Sequence, residues 1–441
     1  IGIGGCSMSG LASILKNRGY YVQGSDRAES PFTERLKELG VPVFIGHDAK
    51  NIGDCDLIIF SAAIKSDNVE RAEAKRRGIP ELERSEALGQ LTEGYESVVG
   101  IAGCHGKTTI TSMLALICEQ GGPDATVHIG GFVDFLNGGV RLGAHDMFIT
   151  EACEYVESFL TLRPTIALIN NIDNDHLDYY GDMEHIVAAF KKFAALLPEN
   201  GLLIGNTDDF RVCALMAEHT GRKLSYGMKD ADYTPANITY DDNGCPGFDI
   251  MFRGEKLMHI QLRIPGEHSV MNAIAAAAVA REIGADDKCI VSALNAFRNT
   301  RRRFEYYGER NGVKYYHDYG HHPSEISATM KAASNVKHNK LFCVFQCNSY
   351  TRAKTLFLND VTCFNLADET LVPDIYPGRE KDDVSVHARD MVAAINAGGG
   401  HATYLGTFEN IRDYLDSHAN AGDLVVTIGS GDVYIQTKKL L

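Results

Sequence analysis

Short strand-like segments recur along this chain, several of them continuously apolar, and segments with helical patterning lie between them. The strand-like segments are 20–23, 57–60, 98–102, 147–150, 166–169, 341–345 and 424–428, and the helix-like ones are 11–17, 112–118 and the Ala-rich 272–283. Continuous apolar strands are typical of parallel sheets that are covered on both faces. Strands that alternate with helices predict βαβ units. The sequence therefore predicts an α/β fold built on parallel sheets.

At 441 residues the chain is too long for one hydrophobic core, and three domains would each have an ordinary size. A polar stretch over 81–96 separates the first αβ unit from the second. A second boundary falls just before the basic run 301–303. We therefore expect three α/β units in series, over 1–95, 96–299 and 300–441.

Charge and cysteine usage narrow the class of protein. Forty-three Lys and Arg against 58 Asp and Glu give a net charge of −15, which argues against a nucleic-acid partner. The 11 cysteines include no Cys-x-x-Cys pair, as expected of reduced thiols in the cytoplasm. No apolar stretch approaches the ~20 residues of a membrane span, and no secretory signal is visible. The sequence opens at Ile1 with the character of a strand end, so we expect residues to precede it.

The most informative motif is a glycine-rich turn between the strand at 98–102 and the helix-like segment at 112–118. It comprises Gly103, Cys104, His105, Gly106, Lys107, Thr108 and Thr109. Backbone N–H groups at such a turn form an anion cradle, Lys107 can reach the β- and γ-phosphates, and the Thr108 hydroxyl can hold Mg²⁺. Position 101 is Ile where the usual pattern has Gly, so the loop is a shortened variant. The motif predicts a triphosphate site; the alternative is a structural turn with an incidental lysine.

A second glycine-rich segment opens the chain. Gly2, Gly4 and Ser7 nearly match the dinucleotide fingerprint, and Asp26 lies where an acidic ribose-binding residue is expected. Because Ser replaces the third Gly, the segment predicts a diphosphate ligand without fixing its base, and a purely structural turn is the alternative. The interpretation of the chain as an NAD-dependent oxidoreductase would rest on this segment alone. Two phosphate loops in separate units instead favour a ligase with two phosphorylated ligands.

Several motifs together carry a family resemblance. They are 2–12, Glu151-Ala152-Cys153-Glu154, 171–178, Gly266-Glu267-His268 with Asn272, Arg302-Arg303-Phe304, and Asp318-Tyr319-Gly320-His321-His322-Pro323. In this order, over nearly the whole chain, they resemble the Mur ligases. The first and last motifs resemble the members that join L-alanine to UDP-N-acetylmuramic acid.

This resemblance implies three domains and a reaction. It implies an N-terminal Rossmann-like UDP-sugar-binding domain, a central P-loop ATPase-type α/β domain, and a C-terminal Rossmann-like domain that receives the amino acid. It implies ATP and Mg²⁺, an acyl-phosphate intermediate, release of ADP and phosphate, and a place in peptidoglycan precursor synthesis. We expect a cytoplasmic monomer or homodimer with neither nucleic-acid nor membrane partners.

The resemblance also implies roles for individual residues. Those at the reacting centre are Lys107, His176, His321 and Arg352. The metal-binding positions are Thr108, Glu151 and His176. The ATP-binding residues are Gly103, His105, Gly106, Lys107, Thr108, Thr109, His268, Asn272, Arg302, Arg303 and Asp318. The substrate-binding residues are Gly4, Gly5, Ser7, Met8, Ser9, Asp26, His47, Ser61, Tyr319 and Tyr350.

Some of these residues have plainer alternatives. Asp173, Asp175, His176 and Asp178 also fit a solvated acidic loop, and His47 and Ser61 fit ordinary packing at strand ends. The histidines 317, 321 and 322 would suggest zinc, but no cysteine accompanies them.

The sequence departs from the family pattern at one place. The family usually has His-Arg or His-Thr before Tyr-Thr-Arg, and this chain has Asn348-Ser349 there. Arg352 is kept as the expected clamp for the alanine carboxylate. Three alternative functions stay open: a related ligase that adds a preformed peptide, an NAD-dependent oxidoreductase, and a nucleotide-binding regulator without catalysis.

Overall fold

The computed structural model describes residues 1–298, 301–357, 361–378, 380–381, 383 and 385–441. These residues form two compact units. Unit 1 comprises Ile1–Pro235, Ile250–Met258 and Asn272–Leu294, and unit 2 comprises Ala236–Asp249, His259–Met271 and the described part of Asn295–Leu441. The domain boundary expected between 299 and 300 lies outside the described residues.

The first 92 residues fold into short helices and strands. In order they are α1 (Cys6–Asn17), β1 (Gly24–Asp26), α2 (Pro31–Glu38), β2 (Val43–Ile45), β3 (Ile58–Phe60), α3 (Val69–Arg77), β4 (Glu81–Glu83) and α4 (Arg84–Thr92). The pairs β1·β2 and β3·β4 are parallel. The first three residues run between the two pairs, since the Ile3 amide donates to Ser25 O at 3.0 Å and the Ile1 amine donates to Ile59 O at 2.7 Å.

Three local predictions for this region are wrong. The strand predicted at 20–23 is instead β1, where Gly24 allows close approach: a Cβ there would lie 2.5 Å from the Ile3 side chain. The glycine-rich turn predicted over 2–10 is shorter, because α1 already begins at Cys6. The polar stretch 81–96 is not a linker, because it forms β4 and most of α4, whose Leu88 and Leu91 are buried. The domain boundary after residue 95 stays a prediction.

The middle of the chain forms a ten-stranded sheet with helices. The elements, in order, are β5 (Ser97–Ala102), α5 (Lys107–Glu119), β6 (Ala125–Val133), β7 (Gly138–Arg141), β8 (Ala144–Glu151), β9 (Ile166–Ile169), α6 (Leu177–Tyr180), α7 (Met183–Ala194), β10 (Leu202–Asn206), α8 (Phe210–Glu218), β11 (Arg222–Tyr226), β12 (Tyr233–Tyr240), β13 (Pro246–Phe252), β14 (Glu255–Gln261), α9 (Glu267–Glu282) and α10 (Asp287–Ala296). The strand order is β14-β13-β12-β11-β10-β9-β5-β8-β6-β7. From β11 to β6 all neighbours are parallel, so the predicted parallel sheet is confirmed.

The last third of the chain forms a second sheet of six strands, all in unit 2. Its elements are β15 (Glu305–Arg310), β16 (Val313–Asp318), α11 (Pro323–Asn335), β17 (Leu341–Phe345), α12 (Tyr350–Arg352), β18 (Glu369–Pro373), α13 (Ala388–Ala397), β19 (Ala402–Gly406), α14 (Phe408–His418), β20 (Leu424–Ile428) and α15 (Val433–Leu440). The order is β15-β16-β20-β17-β18-β19, with only β15 antiparallel to its neighbour. Between β17 and β20 the winding direction reverses, and doubly wound sheets bind ligands at such a point.

Each unit has its own hydrophobic core. In unit 1 the apolar faces of α1, α4 and α7 pack with strands of the central sheet. In unit 2, β17 and β20 are buried along their whole length. Burial of one large apolar side chain stabilises a fold by roughly 1.5–3 kcal/mol, so these strands dominate the stability of their unit.

Among the helices of the described residues, none combines the length and the apolar character that crossing a membrane requires. The 11 cysteines all lie in the described residues, and all are thiols rather than disulfides.

Candidate active site

The glycine-rich turn after β5 has the shape of a phosphate loop. It runs from Gly103 to Gly106, and α5 begins directly after it at Lys107. Both glycines are in the left-handed region, with φ of 136° and 86°. A Cβ on Gly106 would lie 2.5 Å from Asn170 Nδ2, so the turn needs glycine for both its backbone and its close contacts. The first N–H groups of α5, those of Lys107, Thr108 and Thr109, have no partner within the helix and are the donors that a phosphate would use.

Two asparagines after β9 fix the conformation of this loop. Asn171 Oδ1 accepts from the His105 amide at 2.8 Å, and Asn170 Nδ2 donates to His105 O at 2.9 Å. Asn170 is held in turn by the buried Tyr226 hydroxyl at 2.6 Å. His105 Nε2 lies 2.9 Å from Asp173 Oδ2. Side chains from outside the loop therefore hold its backbone in place, as a preorganised anion site requires.

The Lys107 ammonium is paired with a buried carboxylate. Its Nζ lies 2.7 Å from Glu154 Oε2 and also donates to Gly103 O at 2.5 Å. Glu154 is 2% exposed. Burial works to lower the pKa of Lys107, but the Glu154 carboxylate outweighs it and the pKa is raised, so the lysine is charged at all physiological pH values. The sequence motif contained Glu154, but this partnership was not foreseen.

Thr108 and Glu151 meet as the resemblance implied. Thr108 Oγ1 donates to Glu151 Oε2 at 3.0 Å, and the Gly130 amide donates to Glu151 Oε1 at 2.5 Å. A hydroxyl and a carboxylate are hard oxygen ligands of the kind that Mg²⁺ prefers, so these two residues fit that ion.

His176 lies close to two carboxylates. Its Nε2 is 3.7 Å from Glu154 Oε1 and 3.6 Å from Asp175 Oδ2, and its ring packs on Tyr155 with centroids 4.7 Å apart. His176 has a φ of 57°, an uncommon conformation for a residue with a side chain. Glu154, Asp175 and His176 could together hold a cation.

The N-terminal loop is built differently. The Gly4 amide donates to Asp26 Oδ2 at 2.8 Å, so Asp26 braces the loop, and its predicted ribose contact stays untested. A Cβ on Gly4 would lie 2.8 Å from Thr33 Cγ2, whereas Gly5 is the N-cap of α1 and has room. Ser7 lies in the first turn of α1.

Met8 and Ser9 are buried in α1, and the Ser9 hydroxyl donates to Cys6 O at 2.8 Å. Among the predicted substrate residues, Ser7 is therefore better exposed for a ligand than Met8 or Ser9.

His47 and Ser61 lie in the same N-terminal region. His47 Nδ1 is 3.3 Å from both Ser25 Oγ and Glu70 Oε2. Glu70 is 1% exposed, and it also accepts from Asn51 Nδ2 at 2.7 Å. Glu70 therefore fixes the ring of His47, a contact that no sequence pattern indicated. Ser61 contacts the first residues through its amide, which donates to Ile1 O at 3.2 Å.

His268 and Asn272 occupy the start of α9, as predicted, but in different units. Asn272 is buried in unit 1, and its Oδ1 would lie 2.8 Å from a Cβ on Gly106, so it sits against the phosphate loop. His268 belongs to unit 2, where its ring covers Gly266.

In unit 2 the two arginines have different environments. Arg302 lies over the rings of Tyr319 and Tyr434 at 4.5 and 4.4 Å, and its NH2 donates to Ser430 O and Gly431 O. It is thus engaged within unit 2. Arg303 NH1 lies 3.4 Å from Glu325 Oε1.

Asp318 is a buried brace for the chain around it. Its two oxygens accept from the Phe304 and Gly320 amides, both at 2.7 Å. Burial raises its pKa. Its predicted contact with the ATP ribose remains a prediction.

His321 lies beside Tyr319 and Glu325. Its Nδ1 is 3.3 Å from Tyr319 O and 3.4 Å from Glu325 Oε2. The Tyr350 amide donates to Glu380 Oε2 at 2.8 Å. Among the residues that the structure describes, the guanidinium of Arg352 has no carboxylate partner, as a clamp for an incoming carboxylate would require.

Asn348, the position at which the sequence departs from the expected pattern, bonds to a residue after another strand. It follows β17, and its Nδ2 donates to Ser430 Oγ, which follows β20, at 2.6 Å. This bond joins the two strands at which the winding direction of the sheet reverses.

Comparison with known proteins covers nearly the whole chain. Three family models match: "Mur ligase family, catalytic domain" over 1–96, "Mur ligase middle domain" over 101–280, and "Mur ligase, glutamate ligase domain" over 302–431. A UDP-N-acetylmuramate–L-alanine ligase of Alkaliphilus metalliredigens is 44% identical over 442 aligned residues, which are 100% of this chain and 96% of the relative. One of the same name from Clostridium botulinum is 43% identical over 98% of this chain and 95% of the relative. The crystal structure of a UDP-N-acetylmuramate-alanine ligase from Thermotoga maritima superimposes with a TM-score of 0.81 at 26% identity, over 100% of this chain and 96% of that one.

Proposed function

The chain belongs to the Mur ligase family of ATP-dependent ligases and has its three-domain α/β architecture; from this we propose that it joins L-alanine to the carboxylate of UDP-N-acetylmuramic acid. The observation that carries the proposal is full-length similarity to ligases of that name, at 43–44% identity. The proposed step belongs to peptidoglycan precursor synthesis in the cytoplasm.

The first half-reaction is phosphoryl transfer. ATP lies with its phosphates on the Gly103–Gly106 loop, and a carboxylate oxygen of the sugar acid attacks the γ-phosphorus. An acyl-phosphate forms and ADP leaves. Lys107 and the N–H groups at the start of α5 neutralise the charge that spreads over the transferred group. Asn272, beside Gly106, and His105 complete the nucleotide site.

Thr108 and Glu151 would hold Mg²⁺, with His176 at a second metal position. When bound, such ions neutralise phosphate charge and orient the reacting oxygens. The protein's own contribution is the fixed geometry of these ligands, since Gly130 holds one Glu151 oxygen and Thr108 the other.

The second half-reaction is amide formation. The alanine amine attacks the acyl carbon, a tetrahedral intermediate forms, and phosphate leaves. We assign Arg352 to the alanine carboxylate, because a guanidinium binds a carboxylate in a bidentate manner. His321, Tyr319 and Tyr350 are assigned to the surroundings of the reacting atoms.

The N-terminal loop, with Ser7, His47 and Ser61, is assigned to the UDP end of the sugar nucleotide. The free N–H groups of Cys6, Ser7 and Met8 at the start of α1 suit a diphosphate. This assignment gives both glycine-rich loops a ligand, whereas the NAD-dependent alternative leaves the loop at Gly103–Gly106 without one.

The test is phosphate release from ATP and Mg²⁺. We expect release only when UDP-N-acetylmuramic acid and L-alanine are both present, and we expect ¹⁸O placed in the sugar carboxylate to appear in the phosphate. Release that prefers a tripeptide over free L-alanine would favour the peptide-adding alternative. ATP binding without any release would favour the non-catalytic regulator, and release without the labelled oxygen would contradict the acyl-phosphate.

A further inference from the structure

A buried histidine connects the start of α1 to the strand that carries Glu151. His128 lies in β6 and is 3% exposed. On one side its Nε2 is 3.2 Å from Ser7 Oγ and 3.1 Å from Ser7 O. On the other side its Nδ1 is 3.3 Å from Thr150 Oγ1. Both ring nitrogens are therefore used, one toward Ser7 at the start of α1 and one toward Thr150 in β8.

The N-terminal loop is fitted to this ring. A Cβ on Gly10 would lie 2.9 Å from His128 Cδ2, so glycine in α1 lets the helix approach the imidazole. Arg84 NH1 donates to Ser7 Oγ at 3.3 Å. Because the Ser7 carbonyl oxygen can only accept, His128 Nε2 donates to it, and Ser7 Oγ, which accepts from Arg84, lies within reach of the same N–H. The Ser7 side chain is thus held between α4 and β6.

The same strand also holds the predicted metal carboxylate. Gly130, two residues after His128, donates its amide to Glu151 Oε1 at 2.5 Å. Thr150, the other partner of His128, immediately precedes Glu151 and is fully buried. A shift of β6 would therefore act on Glu151 both through the Gly130 amide and through Thr150.

We propose that His128 is a positioning residue that couples binding at the N-terminal loop to binding of metal and ATP at Glu151. This proposal rests on the proposed function, in which the N-terminal loop takes the UDP-sugar. A ligand that fixes Ser7 fixes the imidazole, because a buried polar group that loses its partner is penalised. The fixed imidazole then keeps Thr150 and β6 in the arrangement in which Glu151 faces Thr108. Coupling of this kind is reciprocal, so ATP also tightens binding of the UDP-sugar.

The test measures the coupling itself. The dissociation constant of a non-hydrolysable ATP analogue with Mg²⁺ is measured by calorimetry with and without saturating UDP-N-acetylmuramic acid. In the wild-type protein we expect the sugar nucleotide to tighten analogue binding at least about fivefold, within the usual range of such couplings.

Two substitutions of His128 each keep one of its two polar contacts. His128→Asn retains a polar group near Nδ1, toward Thr150, and His128→Gln retains one near Nε2, toward Ser7. We expect the coupling factor to fall below about twofold in both variants, while each ligand alone still binds. The matched control is Thr126→Val on the same strand. Among the described residues the buried Thr126 hydroxyl bonds to Gly143 alone, so this variant can lose stability but should keep the wild-type coupling factor.

The outcomes separate this inference from the function beneath it. Failure of the wild-type protein to bind UDP-N-acetylmuramic acid would contradict the proposed function. Binding of both ligands with no coupling in the wild type, or with full coupling in both His128 variants, would overturn the role of His128. Loss of coupling in Thr126→Val to the same extent would also overturn it, because any disturbance of β6 would then suffice.

Discussion

The two glycine-rich loops of unit 1 both lead directly into the start of a helix, but they differ in what surrounds them. The loop at Gly103–Gly106 is fixed by Asn170 and Asn171 and carries a lysine paired with Glu154. The loop at the N-terminus is fixed by the Asp26 carboxylate, which accepts from Gly4. The loop at Gly103–Gly106 thus has the Lys107 ammonium beside it, whereas the N-terminal loop has the Asp26 carboxylate bonded to its own backbone.

The difference teaches which ligand each loop suits. A triphosphate whose terminal group is transferred needs a positioned cation beside the transferred charge, and Lys107 provides it. A diphosphate that is only held needs N–H donors and a rigid turn. The sequence motifs look alike, so the discriminating feature is the lysine and its buried carboxylate.

The largest expected effect comes from removing the Lys107 ammonium group. In Lys107→Ala we expect ATP-dependent phosphate release to fall by about 10³-fold or more, because the transferred charge loses a preorganised partner. Binding of the UDP-sugar should be unchanged, measured by calorimetry. Lys16→Ala is the matched control: Lys16 lies in the last turn of α1, after the other loop, and in the described part of the chain its ammonium donates to Gly40 O alone. Substantial phosphate release by Lys107→Ala would remove the distinction between the loops.

An intermediate effect is expected from replacing the Glu154 carboxylate that pairs with Lys107. Glu154→Gln leaves the buried Lys107 without its ion pair, and loss of one partner of a buried pair costs about 3 kcal/mol or more. We expect a lower thermal midpoint without nucleotide and tighter binding of a non-hydrolysable ATP analogue, since Lys107 no longer has to leave a carboxylate. Saturating analogue should restore most of the midpoint, measured by thermal shift.

The control for this prediction is Glu157→Gln, which breaks the more exposed pair of Glu157 with Lys192. Pairs of that kind contribute at most about 1 kcal/mol, so its midpoint should hardly move. A Glu154→Gln midpoint equal to the wild-type value would contradict a structural pair at Lys107.

The smallest effect tests the fit of the N-terminal loop. In Gly4→Ala the added methyl would lie 2.8 Å from Thr33 and 2.9 Å from Asp26, so the loop must shift. We expect UDP-sugar binding to weaken about tenfold, which corresponds to about 1.4 kcal/mol. In Gly5→Ala the nearest atom is 3.5 Å away, and binding should stay within about twofold. ATP binding should be unaffected in either variant. An equal loss of UDP-sugar affinity in both variants would mean that the geometry of the loop does not determine UDP-sugar binding.

The sequence predicted three of the buried strands to the residue, whereas β5 and β8 extend beyond their predicted bounds and β10 and β18 were missed. The strands β9, β17 and β20 have the predicted bounds, because continuous apolar segments of this length have one favourable place, inside a covered sheet. The strand β1 was missed because Gly24, Ser25 and Asp26 all have low strand propensity. Contacts with Ile3 and with β2 hold it instead.

The candidate site was predictable where its residues are close together in the sequence. Gly103 to Thr109 was placed between a strand and a helix; the structure has Gly103–Gly106 there, and α5 begins at Lys107, five residues before the predicted helix start. Glu154, Asn170 and His128 could not be given partners from sequence, because their contacts join segments 47 to 121 residues apart. Gly10 was placed in a turn, but it belongs to α1, where the reason for glycine is the distant imidazole of His128.

The presence of Asn348 in the bond with Ser430 determines how the charge at this position depends on pH. A carboxamide has no proton to gain or lose in water near neutrality, whereas an imidazole at the same place would change its charge between about pH 5 and 8. The end of the sheet assigned to alanine therefore keeps a constant charge at this position as the surroundings acidify. Whatever pH response the ligation has must arise from other groups.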